Sequence, residues 1–311
     1  MNYQMTEEEK QFLKQYDITK YDQPSVTVDI AVFAVTPGRE SETDRDYRKE
    51  TPLELSLLLI RRGGYPYKDW WALPGGFTHP GDSLEECARR ELCEETSVSN
   101  AYLRPFGTFS ESGRDPRGWI ISNGFLALVD AKDYRIRGGT DAWDARWFRV
   151  RVSDQEILKK VEGTNARIRT LHHLDLENDQ LEIRLQADVE EERVFSQHHE
   201  EVSYRILSRE GIAFDHSKII LRAFAVLRQE TERDGKIVFD LMPEKFTLYQ
   251  LQEVHEIILD RKLVTPNFRR KIAPFVTETD ESAAGAGHRP AKLFRRNLEA
   301  FYGSADKSAL S

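Results

Sequence analysis

The sequence predicts an α+β chain in two parts, a strand-rich body built round one charged helix and a helical module that ends in a hairpin. Three observations carry this. The chain has 311 residues, which at roughly 100 to 200 residues per domain favours two domains. β-Branched runs at 25–35, 53–60, 118–130 and 145–150 flank a strongly charged helical stretch from Ser83 to Thr96. From Asp215 the apolar period becomes helical, with Ile219, Ile220, Ala223, Phe224 and Leu227 recurring until Gly235, a glycine C-cap.

Thr6 and Glu9 stand at capping-box spacing, so a short helix over 6–16 opens the chain and is expected to pack on the strand-rich body. The polar segment 36–52 reads as a loop, and the Gly63-Gly64 turn leads into DWWALPGGF. A helix is expected around Asp154–Val161. Two alternating stretches around Asn178-Asp179, RTLHHLDL and LEIRLQADV, suggest an added hairpin. Beyond Gly235, KIVFDLM reads as a strand. A helix at Thr247–Asp260 comes next, with Leu248, Leu251, Val254 and Ile258 on one side. Thr265 then looks like an N-cap, with Pro266 at the first helical position of a third helix, NFRRKIAPF. A Gly/Ala-rich tip leads into a basic strand. Helices followed by a hairpin make a winged helix-turn-helix. The divisions are an N-terminal extension at 1–24, a first domain at 25–165, a connector at 166–214 and the helical domain at 215–311.

Apolar residues make up 39% and charged residues 32%, a composition that fills a core and excludes a wholly disordered chain. No apolar run approaches the roughly 20 residues that span a bilayer, and the N-terminus lacks the pattern of a secretory signal. Cys87 and Cys93 would lie about 9 Å apart along a helix, too far to bridge. A cytoplasmic, reduced protein with no membrane partner is expected. The net charge is −8, but residues 1–240 carry −10 and residues 241–311 carry +2. Within 261–296 there are 9 basic and 3 acidic residues, so an anionic partner belongs there.

On a helical wheel Leu84, Cys87 and Ala88 mark the buried side of the charged helix, and Glu91, Glu94 and Glu95 continue that face. Like charges at these spacings repel, and partial burial adds a desolvation cost. A divalent cation relieves both, and oxygen-only ligands suit hard Mg²⁺ (or Mn²⁺). An exposed acidic helix salt-bridged by Arg89 and Arg90 has the same spacing.

The run GGFTHPGDSLEECARRELCEETSV resembles the Nudix box, with the pattern falling on Gly76, Asp82, Arg90, Glu91, Leu92, Glu94, Glu95, Ser97 and Val98. Asp82 replaces a glutamate and Ser97 a glycine, while the Arg-Glu-x-x-x-Glu-Glu core is intact. The resemblance implies a Nudix α/β/α sandwich with a mixed sheet, and metal-dependent hydrolysis of a nucleoside diphosphate linked to another group. It assigns catalysis to Arg90, Glu91, Glu94 and Glu95, and the metal to the three glutamates with the backbone of Gly76; Gly75 and Gly76 would border the substrate.

SESGRDPRGW places Arg114 and Arg117 in a turn between two strands. It resembles the Arg-Asp-Pro-Arg loop of the Nudix-related regulators of NAD metabolism and of their ADP-ribose-hydrolysing relatives, which implies that both arginines meet the substrate. Glu111 is either a further acid or a solvated side chain. The regulator branch appends a winged helix, and FTLYQLQEVHEIIL, NFRRKI and GHRPAKLFRR are similar to it. Phe268 and Ile272 would face the core, leaving Arg269, Arg270 and Lys271 for the major groove, while Arg289, Lys292, Arg295 and Arg296 on the wing would contact phosphates. His255 and His288 read as structural or exposed. Two functions remain open here. One is a regulator in which an ADP-ribose-like ligand controls the grip of a homodimer on double-stranded DNA, with hydrolysis retained. The other is an ADP-ribose diphosphatase whose C-terminal domain is only structural or dimer-forming.

Overall fold

β-Branched and apolar runs that expose one polar face must pair, and here they pair into one ten-stranded mixed sheet. The computed structural model describes residues 5–38, 52–96, 98, 101–131, 145–283 and 290–303. The elements are α1 (Glu7–Gln15), β1 (Ser25–Pro37), β2 (Leu53–Arg61), β3 (Trp71–Ala72), β4 (Gly75–Phe77), α2 (Leu84–Thr96), β5 (Tyr102–Phe109), β6 (Ile120–Asp130), β7 (Ala145–Glu162), β8 (Asn165–Asn178), β9 (Ile183–Ser196), β10 (His199–Glu210), α3 (His216–Arg233), α4 (Leu248–Leu259), α5 (Thr265–Ile272), β11 (Val276–Ser282), β12 (Lys292–Arg296) and α6 (Leu298–Tyr302). The sheet order is β10-β9-β8-β7-β2-β1-β6-β5, with β3 on β2 and β4 on β1. β1 and β6 run parallel, and the other pairings are antiparallel.

The two-residue period of β1 sorts its side chains onto two faces. Val28, Ile30, Val32 and Ala34 join Cys87, Ala88 and Leu92 of α2 in one core. Ala31 and Phe33 face the other way and share a second core with Ile219, Ala223, Phe224 and Leu227 of α3. This is the expected α/β/α sandwich, but its second helical layer is α3, the helix that sequence periodicity groups with the C-terminal module. The same core continues into Leu251, Val254 and Ile258 of α4 and Phe268 and Ile272 of α5. Among the described residues no break in apolar packing separates sheet from winged helix. At roughly 1.5 to 3 kcal/mol for each large side chain fully buried, that continuity stabilises the junction.

The expectations fail at four places, each for a local reason. α1 forms with its Thr6–Glu9 capping box but buries none of its residues, because Phe12, Tyr16 and Tyr21 stack on one another rather than on the body. Residues 154–161 are strand, not helix. Gly163 at φ 58° and Thr164 close a two-residue hairpin, and the ladder with β8 then overrides helical propensity. Residues 236–241 form a 3₁₀ turn in place of a strand, wound directly after Gly235 at φ 74° and burying Ile237, Val238, Phe239 and Leu241. α5 begins at Thr265 with Val264 as its cap, one residue earlier than expected. The added hairpin is larger than expected, with β7 to β10 forming one antiparallel extension of the sheet. Cys87 is buried, Cys93 is exposed, and both are free thiols. Among the described residues no helix is long and apolar enough to cross a membrane.

The extension carries a pH-dependent cluster. His172 on β8 meets Asp154 at 2.7 Å and Glu191 at 3.7 Å, and Arg228 of α3 meets Asp154 at 3.3 Å. Burial opposes the charged imidazole, but the two carboxylates outweigh it and raise His172 to about 9. Burial likewise opposes ionised Glu191, yet His172, Arg193 and Tyr204 hold it down at about 2. A raised histidine stabilises fully below its unfolded value of about 6.5, and the contribution disappears as pH rises through 9. The depressed glutamate stabilises above about 4.5 and loses its contribution as pH falls through 2. His172→Gln should therefore cost on the order of 1 to 2 kcal/mol at pH 6, after discounting for solvent, and little at pH 9.5. Urea midpoints at the two pH values check this; an equal loss at both would mean that the charge of His172 contributes nothing.

Candidate functional site

The site lies where β4, the second half of α2 and the 110–118 turn meet β1. Ser83 starts α2 with a capping box: its hydroxyl accepts from the Glu86 N–H at 3.2 Å, and Glu86 accepts from the Ser83 N–H at 2.8 Å. Two turns later the carboxylates emerge. Arg90 donates to Glu91 at 2.6 Å, to the Phe77 carbonyl at 3.2 Å and to Asp82 at 3.4 Å, with Glu94 at 3.7 Å. The shorter Asp82 thus still reaches the arginine. Glu91 is largely buried and Glu94 is 62% exposed, so the face that sequence assigns to three carboxylates buries two of them. Ser97 lies outside the described residues.

Two glycines let the chain pass through this crowding. Gly75 pairs with Asp29 and Gly76 with Val28 across the β4–β1 ladder. A Cβ on Gly75 would strike the Val28 carbonyl, and one on Gly76 would strike the Glu91 carboxylate. The Gly75 N–H donates to Glu95 at 2.8 Å. Burial, together with the neighbouring negative charges of Glu91 and Asp29, nonetheless pushes Glu95 up to about 8 against the lowering effect of Gly75 and Arg62. Oxygen-only donors with an excess of buried negative charge fit a hard divalent ion. They are not assembled round a common point, since among the described residues no three acidic, histidine or cysteine side chains share one ion-sized site.

The turn arginines are already paired. Arg114 is 5% exposed and forks onto Asp215, at 2.7 and 3.0 Å, with Asp29 at 3.4 Å. Arg117 grips Asp115 at 2.6 Å and lies over the rings of Phe77, at 5.1 Å, and Phe214, at 5.4 Å. Glu111 binds Lys218 at 2.5 Å. Sequence reasoning missed Asp29, Arg62, Phe77, Phe214 and His216. Arg62 lies 4.6 Å over Phe214, and its pKa is lowered by burial and by Arg117. His216 accepts from the Leu73 N–H through Nδ1 at 2.9 Å and faces Asp29 at 3.5 Å through Nε2. Burial keeps this imidazole neutral. None of these five carries a local motif; only Asp29, an acid inside an apolar strand, signals itself in sequence.

The basic face sits on α5, the helix after α4. Phe268 and Ile272 are buried and Arg269, Arg270 and Lys271 are exposed. Among the described residues none of the three cations meets an acidic side chain, and Arg270 contacts only Asn267, at 3.2 Å. On the β11–β12 wing Arg295 is exposed, Lys292 is paired with Glu278, and Arg296 is held by Asp240 at 2.7 Å over the ring of Phe301. Arg296 is thus tied to the domain's own side chains, as Lys292 is. His255 is buried edge-on to Phe268 and lowered by burial to about 4. Arg289 and His288 lie outside the described residues.

A carboxylate helix over a glycine-lined strand, joined to a winged helix with an unpaired basic face, defines a Nudix domain fused to a DNA-binding module. Residues 47–174 match the NUDIX domain and residues 238–296 the NrtR DNA-binding winged helix domain. The ADPR responsive transcriptional repressor NtrR of Acinetobacter baylyi is 32% identical over 295 residues, 94% of this chain and 89% of that protein. The chain belongs to this NrtR family of Nudix-related regulators. In fold it is similar to a MutT/nudix family protein from Enterococcus faecalis (TM-score 0.62, 24% identity, 93% of each chain) and to Shewanella oneidensis NrtR complexed with a 27mer DNA (0.58, 22%, 88% of this chain and 94% of that one).

Proposed function

We propose that this chain is a cytoplasmic transcriptional regulator that binds double-stranded DNA as a homodimer through α5 and the wing, and that ADP-ribose or a closely related nucleoside diphosphate derivative in the Nudix site controls that binding. The observation that carries the reading is the unpaired cationic face of α5 in a chain alignable almost end to end with an ADP-ribose-responsive repressor. Arg269, Arg270 and Lys271 read the groove, and Arg295 and Lys292, with Arg289, hold phosphates. In the Nudix site Arg117 and Arg62 supply guanidinium forks for the diphosphate, and Phe77 and Phe214 supply flat apolar surface. Glu91, Glu94 and Glu95, with the Gly76 backbone, would hold Mg²⁺ or Mn²⁺, which when bound polarises a phosphoryl oxygen and lowers the pKa of a water. The chain's own part is positional: Arg90 fixes Glu91, and the Gly75 N–H fixes Glu95. The intact Arg90-Glu91-Glu94-Glu95 set supports slow hydrolysis of the ligand alongside regulation.

The test is fluorescence anisotropy of the full chain on a labelled duplex that it has selected from a random-sequence pool, with and without ADP-ribose, beside an assay of ADP-ribose cleavage in Mg²⁺. DNA binding that weakens steeply with salt and shifts fivefold or more with ADP-ribose is expected. Cleavage without DNA binding at low salt would leave only the hydrolase reading.

A further inference from the structure

The Nudix signature strand and the start of α3 are joined by backbone hydrogen bonds and buried polar contacts. Trp71 exchanges backbone hydrogen bonds with Gly211 and Ala213, at 2.8 Å each. Leu73, two residues further on, donates to His216. From the arginine turn, Arg114 reaches Asp215 and Glu111 reaches Lys218. From β1, Asp29 takes Arg114 on one oxygen, shares that oxygen with the Ser122 hydroxyl at 2.5 Å, and faces His216 with the other. Thus three of the elements at the site, β1, the Trp71–Leu73 stretch and the turn, hold the single segment Gly211–Lys218. That segment is the start of α3, and its far end holds the DNA-binding helices: Arg228 donates to the Ile258 carbonyl of α4 at 3.2 Å, and Glu232 pairs with Arg261 between α4 and α5 at 3.3 Å.

Asp215, Lys218 and Arg114 are almost wholly buried. A buried ion pair is a poor source of net stability, and its better-attested use is to fix one arrangement among alternatives. Here the arrangement is sensitive to anions by construction. Arg114 lies three residues from Arg117, and its partner Asp29 pairs in the β1–β4 ladder with Gly75, whose N–H donates to Glu95. A diphosphate entering beside the turn brings charge that competes with Asp215 for the same fork, and a cationic group near Glu95 draws on Asp29.

We infer that the Asp29–Arg114–Asp215 triad, with Lys218–Glu111 beside it, is the joint that transmits occupancy of the Nudix site to α3 and from there to α5; this rests on the regulatory reading above. Asp215 is then a positioning residue, and Arg114 is the group that it shares with the ligand. A ligand changes DNA affinity only through contacts that differ between two states, and the fork of Arg114, on Asp215 or shared with the ligand, is that difference.

The experiment is a coupling measurement on the full chain. DNA affinity is determined by anisotropy with and without saturating ADP-ribose, and ADP-ribose affinity by calorimetry, for the wild type, Asp215→Asn and Glu111→Gln. The wild type is expected to show a coupling factor of at least five. Asp215→Asn should keep both individual affinities within about fivefold while its coupling factor falls towards one. A merely structural role would lower the melting temperature and leave that ratio unchanged. Glu111 is 60% exposed, so Glu111→Gln folds even if the buried variant does not, and should at least halve the coupling factor. Both folded variants responding to ADP-ribose as the wild type does would overturn the joint. A wild type that binds DNA and ADP-ribose without any coupling would instead overturn the regulatory reading on which the joint rests.

Discussion

Replacing Arg269 and Arg270 together with alanine should weaken DNA binding about a hundredfold or more, while leaving the melting temperature within a degree or two. The reasoning begins with charge. Residues 1–240 carry −10, so the body repels a duplex and the attraction must be local. α5 contains three cations and no acid, and its orientation is fixed by Phe268 and Ile272, which are 6% and 1% exposed. A side chain that reads a base edge contributes roughly 1 to 3 kcal/mol, and a phosphate contact changes the salt slope by about one. Single substitutions separate the two roles. The base reader should relax specificity at one position, and the phosphate contact should weaken all sequences alike. Arg270, whose guanidinium leans on Asn267, is the more constrained of the two and is expected to behave as the base reader. Arg296→Ala is the control: its partners are Asp240 and Phe301, so it should lower stability more than it changes the salt slope. Undiminished DNA binding by the double variant would remove α5 from the interface.

The features legible in the sequence are those that repeat at short range. The Nudix box, the α4 and α5 faces and the capping boxes each obey a local spacing, and the structure places them accordingly. The strand at 154–161 is not legible, because its conformation is imposed by β8, the next strand along the chain, through a hairpin at Gly163-Thr164 whose turn signal is weak. The 3₁₀ turn at 236–241 looks like a strand by composition, but the left-handed Gly235 before it winds the chain tightly instead. The site shows the same division. Arg90 and its glutamates are close together in the chain and declare themselves. Arginine in a turn suits phosphate, which points Arg114 at substrate, but its fork is taken by Asp215, 101 residues away. Asp29 and His216, which complete that network, come from a strand and a helix 187 residues apart in the chain. No local pattern encodes such a contact.

Gly75→Ala and Gly76→Ala, neighbours in one signature, should fail in opposite ways. At Gly75 the new Cβ meets the Val28 carbonyl oxygen and comes within 3.1 Å of the Asp29 Cα, both backbone atoms of β1. Neither can swing aside, so β4 must lift from β1, straining the Thr27–Phe77 to Asp29–Gly75 register and the bond from the Ile30 N–H to the Pro74 carbonyl. Overpacking of this kind costs about 1 to 3 kcal/mol or more, which for a chain of this size lowers the melting temperature by roughly 2 to 5 °C. At Gly76 the obstacle is the Glu91 carboxylate, the free end of a flexible side chain. It can rotate away, so stability should change by less than about 1 kcal/mol. Rotation takes Glu91 off Arg90 and out of the carboxylate group, and a divalent ion stabilises a protein only in proportion to its affinity for the folded state. Thermal melting in EDTA and in millimolar Mg²⁺ therefore separates the two variants. Gly75→Ala should melt low in EDTA, and Gly76→Ala should melt normally in EDTA and lose the rise that Mg²⁺ gives the wild type. A Gly76→Ala protein that keeps the full rise would show that Glu91 does not hold the ion, and a Gly75→Ala protein as stable as the wild type would show that β4 can leave β1 at no cost.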